Sequence, residues 1–424
     1  MIGKKIYNFA ETLWPINRSL TGDGVRETLL EIKKHIPNLK VHEVNTGTKA
    51  FDWTVPKEWR INDAWIKTPD GRMICNFKEN NLHLVGYSMP FHGKLTLEDL
   101  QKKLFSLPAQ PDAIPYITSY YKEDWGFCIK DSERKRLKDG DYEVFIDSEL
   151  FNGSLTYGEL LIKGKEKKEI FLSTYLCHPS MANNELSGPC VTTFLSKHIS
   201  SLENRRYSYR IVFIPETIGS IVYLSKNLKK MKESTHAGYN ITCVGDNRSF
   251  SYLPSRNGKT ISDKVALHVL KHIDKDFKKY EWSDRGSDER QYCSPNIDLP
   301  VSSIMRTKYG EYPEYHTSLD NLNDVVSAEG LNGGFEILKL AIETIENNIY
   351  PKITVMCEPQ LGKYDLYPSI GGPKATKELR IMSNLISYSD GKHDLIDIAD
   401  ICDIPVWELY PIVKNLESKG LLVT

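Results

Sequence analysis

The stretch FLSTYLCHPSMANNELSGPC, Phe171–Cys190, decides how the chain is read. The apolar run from Ile170 to Leu176 reads as a buried strand. His178 follows where a parallel strand presents a side chain at its carboxyl edge. The turn Pro179–Glu185 comes next, and Ser187-Gly188 leads into a helical stretch, Val191–Ile199. Sites in open α/β sheets lie outside the carboxyl ends of the strands. A His at that edge, with Glu185 on the following turn, is a candidate metal-ligand pair.

Working outward, the same texture recurs. Tyr209–Pro215 is a second buried-strand run, ending at Glu216. Ala237–Gly245 reads as a third, ending at Asp246, and Leu299–Arg306 as a last one, followed by His316. Helical patterns at 191–202, 218–231, 264–273 and 326–347 alternate with them. That alternation predicts a mostly parallel sheet flanked by helices, an α/β fold. Residues 4–37 predict two helices broken by Arg18-Ser19-Leu20-Thr21-Gly22-Asp23-Gly24. From Trp59 to about 149 the texture changes to short alternating segments punctuated by Gly, Pro, Asn and Asp. The domain reading is therefore 1–58 with 150–350 as one α/β domain, 59–149 as an inserted mainly-β module, and 351–424 as a winged-helix-like module.

Composition limits the function classes. The 424 residues are 40% hydrophobic and 26% charged, with a net charge of -1. This balance favours neither nucleic acid nor an anionic membrane as partner. The eight cysteines form no CxxC pair, which speaks against a cysteine zinc site and suits a reducing cytoplasm. The first residues lack the apolar run of a signal peptide, and no stretch is apolar enough to span a bilayer. From Lys374 onward six Lys/Arg face eight Asp/Glu. Phosphate contacts dominate DNA affinity, so this module is expected to pack or oligomerise, giving a homo-oligomer rather than a DNA complex.

The strand-end groups form a chemical set. His178, Glu185, Asp246 and His316 are candidate metal ligands, and Glu216 is a candidate general base. Asp288-Glu289 stands in a loop between the last two strand ends in sequence order. Each residue alone has an ordinary structural reading; together, at successive strand ends, they point to metal-assisted hydrolysis.

The order also resembles the zinc aminopeptidase clan. More closely, it is similar to bacterial proteins with an aminopeptidase-like domain associated with polysaccharide biosynthesis. The segments that carry the resemblance include RSLTGDGVR (18–26), STYLCHPSMANNELSG (173–188), IPETIGS (214–220), GSDERQY (286–292) and YHTSLDN (315–321). The resemblance implies His178 as the first metal-binding His, Glu216 as the base, Asp246 near a metal-binding Asp, and His316 as the last metal-binding His. Three departures stand out. Ser180 replaces the Asp that orients the first His, Asn184 falls at the bridging Asp, and Thr217 replaces the second Glu of a Glu-Glu pair. One Zn²⁺ is the leading expectation and the two of the clan the alternative, with Asn184 or Glu185 serving at the bridge. Arg18, Tyr309 and Tyr315 are the expected substrate contacts. The implied activity is hydrolysis of an amide or peptide bond in a small peptide, aminoacyl or modified-sugar conjugate. The alternative is a non-catalytic binding or scaffold protein on a degenerate peptidase fold.

Overall fold

The computed structural model describes residues 2–367 and 373–424. In chain order the elements that matter here are α1 (Ile2–Leu13), α2 (Asp23–His35), β1 (Lys40–Asn45), β2 (Glu58–Lys67), β3 (Met73–Ile74), β4 (Phe91–Thr96), β5 (Asp141–Phe151), β6 (Ser154–Ile162) and β7 (Glu169–Tyr175). They continue with α3 (Ser187–Ser201), β8 (Ser208–Ile214), α4 (Ile218–Ser234), β9 (Thr235–Asn240), β10 (Ser251–Leu253), α5 (Ile261–Ile273), β11 (Lys278–Lys279), β12 (Val301–Met305) and α6 (Ala328–Asn347).

Eight strands form one mixed sheet in the order β1-β6-β8-β7-β9-β12-β10-β11. The four central strands β8, β7, β9 and β12 run parallel. The flanks turn antiparallel, at β6 and β1 on one side and at β10 on the other. Every residue of β7 is buried, because helices or inserted chain cover both faces. Alternate side chains serve the two faces, as strand geometry requires. Ile170 and Leu172 belong to a core shared with α1, α2, α3, α5 and α6, whereas Phe171 belongs to a second core, stacking on Tyr223 of α4 and meeting Tyr292 edge-on.

The inserted segment builds its own antiparallel sheet, in the order β3-β2-β5-β4. A short bridge ties it back to the main domain: the Ile114 N–H donates to Ser318 Oγ, and the Ser318 N–H donates to the Ile114 carbonyl.

The strand read over 237–245 is shorter in the structure. β9 stops at Asn240, and Cys243 takes a left-handed backbone at φ 52°. Asp246 therefore lies on a loop, well past the strand edge.

Three helices, α7 (Pro373–Tyr388), α8 (Leu395–Cys402) and α9 (Tyr410–Ser418), make the C-terminal module, with a two-stranded wing of Lys352–Ile353 and Leu422–Val423. Lys264 on α5 joins it through Asp394 at 2.7 Å and Asp397 at 2.6 Å. No helix among the described residues is long and apolar enough to cross a membrane.

Candidate active site

Tyr175 and Ile214, the last residues of β7 and β8, are register partners. That register sets His178 and Glu216 side by side just beyond the parallel strand ends. The Leu176 N–H donates to the Ile214 carbonyl at 3.0 Å, and the Glu216 N–H to Cys177 Sγ at 3.2 Å. α3 begins directly behind them. Gly188 makes this possible, since a Cβ there would stand 2.5 Å from Thr174 Oγ1 and 2.6 Å from the Ile241 carbonyl oxygen.

His178 is buried between two carboxylates. Its Nδ1–H donates to Glu185 Oε2 at 2.8 Å, and its Nε2 lies 3.6 Å from Glu216 Oε2. Burial works against the imidazolium, but Cys177 and Glu185 outweigh it and hold the His178 pKa above its usual value. Glu185 sits on a wide π turn, Ala182–Leu186, whose amides are gathered by Asp320: Asn183 N–H at 2.7 Å and Asn184 N–H at 3.0 Å. Its second oxygen, Oε1, faces Arg18 Nε at 3.5 Å.

This corrects two expectations. Arg18 is 1% exposed and lies beneath the site, donating to the carbonyls of His178 and Leu13. It is the counter-charge of Glu185, not a substrate contact at the mouth. Glu185 in turn gives Oε2 to His178 Nδ1, while Oε1 faces the Arg18 charge without a hydrogen bond. It orients the imidazole, replacing the missing Asp at Ser180, instead of bridging metal ions.

Glu216 keeps a partly open side chain, and burial raises its pKa. Thr217 behind it is left-handed at φ 64°. Its N–H donates to Asp288 Oδ1 at 2.7 Å, and Arg290 Nη2 donates to its Oγ1 at 2.6 Å. Burial, and then the Glu216 charge, push Asp288 up to about 8. Glu289 ties down its own loop by accepting from the Gly286 and Ser287 amides, each at 2.9 Å, and from Tyr309 Oη at 2.6 Å. Tyr309 is thus a loop support, a second correction to the expected substrate contacts.

His316 approaches from the far side. Its ring centroid is 5.6 Å from that of His178, and it stacks on Tyr315 at 3.9 Å. Burial, and then the His178 charge, pull its pKa down to about 3, so it is neutral near pH 7. Tyr315 stays at the site, half-buried beside His316.

The inserted segment closes the third side of the histidine pair. Pro115 pairs with Thr317 across an isolated bridge, which brings the next residue, Tyr116, over both rings. The Tyr116 ring lies 5.1 Å from His178 and 5.2 Å from His316, and its N–H donates to the His316 carbonyl at 2.9 Å. Sequence reasoning missed Tyr116, because nothing local marks a tyrosine in the insert as a neighbour of His178.

The structure does not bring Asp246 into this group. Its carboxylate accepts from Asn183 Nδ2 at 3.1 Å, the Arg248 N–H at 3.1 Å and Thr307 Oγ1 at 3.0 Å. It pins loops together, a correction to its expected place beside the metal-binding residues. Asn184 is likewise engaged: Tyr175 Oη lies 2.9 Å from its Oδ1 and 2.6 Å from Thr242 Oγ1.

These partners test the fit of a metal. Cys177, His178 and Glu185 bring donor atoms within 4.8 Å of one another. Within this cluster Glu185 Oε2 and His178 Nδ1 are already bonded to each other at 2.8 Å. His178 Nε2 and His316 remain, beside the Glu216 carboxylate. Two imidazoles and a carboxylate are donor types of a hydrolytic zinc site, one protein ligand short of the usual three when Glu216 serves as the base. Asn184, Thr217 and Asp246 offer a second ion no free carboxylate, while the buried Asp288 Oδ2 and Glu185 Oε1 have no hydrogen-bond partner among the described residues.

Comparison with known proteins agrees with the architecture. A family model described as Domain of unknown function (DUF4910) matches residues 7–348, and one described as winged helix-turn-helix matches 348–424. A Clostridium acetobutylicum relative, named a polysaccharide biosynthesis protein with aminopeptidase-like domain, is 48% identical over 399 residues, covering 94% of this chain and 91% of its own. A crystal structure of a candidate peptidase from Clostridium acetobutylicum has a TM-score of 0.93 at 45% identity, covering 100% of this chain and 96% of the other. A zinc aminopeptidase from Bacillus subtilis shares the fold, with a TM-score of 0.59 at 14% identity over 81% of this chain and 94% of the other. The chain belongs to the DUF4910 family, an aminopeptidase-like domain followed here by a winged helix-turn-helix.

Proposed function

We propose that this protein is a peptidase-like hydrolase that cleaves an amide bond in a small peptide, aminoacyl or modified-sugar conjugate, using one metal ion. One observation carries the reading: His178 Nε2 faces Glu216 Oε2 at 3.6 Å, with the His316 ring across the same space. His178 and His316 would hold the ion, and Glu185 would fix the His178 ring. A bound Zn²⁺ supplies polarisation of a carbonyl and a lowered pKa for water.

The other steps belong to the chain. Glu216 Oε2 takes the proton of the attacking water and returns it to the leaving amine. Burial raises its pKa, which suits a group that must both accept and release a proton. Tyr116 closes the histidine pair against bulk solvent, which favours small substrates or chain ends.

The test is metal content by elemental analysis, alongside turnover of an aminoacyl and peptide library. The wild type should carry about one equivalent of metal and turn over part of the library, and His178→Ala should lose both. A second reading, a binding protein on a degenerate peptidase fold, is favoured by the Tyr175 hydroxyl lodged between Asn184 and Thr242. It replaces the first if the wild type holds no metal and turns over nothing.

A further inference from the structure

Arg290 is the exposed member of a loop whose other polar residues are buried. Ser287, Asp288 and Glu289 are at most 2% exposed. Arg206, Arg210, Arg248 and Arg256 each pair with a carboxylate. Arg290, like Arg205, Arg285 and Arg306, has no such partner among the described residues. Only its Nη2 is engaged, on Thr217 Oγ1 at 2.6 Å. Thr217 is itself held by its amide on Asp288, so the guanidinium hangs from a fixed point.

That point adjoins Glu216 in sequence. Burial raises the pKa of Glu216, of Tyr315 and of Tyr121, and the Arg290 charge opposes the rise at all three. Tyr121 is 81% exposed and stacks edge-on against Trp53. Arg290 thus acts electrostatically on both the exposed Tyr121 and Glu216, the carboxylate proposed to carry the proton.

A guanidinium presents a planar two-donor edge that matches a carboxylate. Thr217 stands where the resemblance expects a second Glu, so a hydroxyl that positions Arg290 replaces a carboxylate that would neutralise it. We propose that Arg290 anchors a carboxylate of the substrate at the mouth of the Glu216 cleft, making the substrate an amide that carries a carboxylate near the scissile bond. This rests on reading that cleft as the substrate site.

The test is calorimetric titration of the full chain with succinate, with neutral succinamide and inorganic phosphate as comparisons. Succinate should bind and succinamide should not. Arg290→Gln should weaken succinate at least about tenfold, the size of a lost hydrogen bond to a charged group. Arg290→Lys should fall between, and His178→Ala should keep the binding. Equal binding of succinamide, unchanged binding by Arg290→Gln, or tighter Arg290-dependent binding of phosphate would overturn the carboxylate anchor. So would loss of succinate in His178→Ala alone, which would put the anion on a metal. Succinate binding that persists in a protein without metal or turnover would separate this anchor from the hydrolase reading.

Discussion

Glu185 accepts the Nδ1–H of His178 at 2.8 Å, and this bond turns Nε2 toward Glu216 and away from the buried Arg18. A carboxylate on the far nitrogen fixes the tautomer and makes the near nitrogen a better ligand. The chain has built this pair from a residue seven positions downstream, on the turn before α3, because Ser180 offers no carboxylate.

Glu185→Gln should therefore weaken metal binding by about 10–100-fold, the range for an orienting partner, while leaving the site able to load. Zinc titration of the purified variant measures it. If Glu185→Gln loses metal as fully as His178→Ala, Glu185 is a ligand.

Glu216→Gln keeps the side-chain shape and removes the proton acceptor. It should retain metal and lose activity by ~10²–10⁴, the usual contribution of a general base. Elemental analysis and turnover on the same preparation check both halves. Loss of metal in this variant would make Glu216 a ligand.

Asp320 gathers the Asn183 and Asn184 amides on its two oxygens, with Tyr312 Oη donating at 2.9 Å. An asparagine would turn one acceptor into a donor facing donors. Asp320→Asn should cost about 1–3 kcal/mol, read from urea unfolding. An unchanged midpoint would show that the turn holds without it.

The C-terminal module should loosen in acid. Asp394 is buried; burial raises its pKa, but hydrogen bonds from Lys264 and Asn348 outweigh that and set it below its ordinary value of 3.8. A depressed carboxylate contributes stability above its unfolded pKa and loses it as pH falls through the folded value. The contribution should be complete well above pH 3.8 and fade below it. Asp394→Ala should cost about 1–3 kcal/mol at neutral pH, because the N-cap of α8 and the bonds from Lys264 and Asn348 are lost while Lys264 keeps Asp397. Thermal unfolding of both proteins from neutral to acid pH checks this, since the acid loss should be smaller in the variant.

The strand over 170–176, the helix behind it, His178 and Glu216 as groups near strand ends, and His316 after the last strand were all legible in the sequence. Hydrophobic runs and turn residues record locally which segments are buried and where they stop. The sequence alone did not say what each charged group meets. Arg18 lies beneath the site because its loop folds under the His178 turn, and Asp246 leaves the strand edge because β9 stops at Asn240. Tyr116 reaches the histidines because the insert bridges to Thr317 and Ser318. A side chain's role depends on partners that only the long-range register of strands and loops brings within a few ångströms, and tertiary structure alone decided that register.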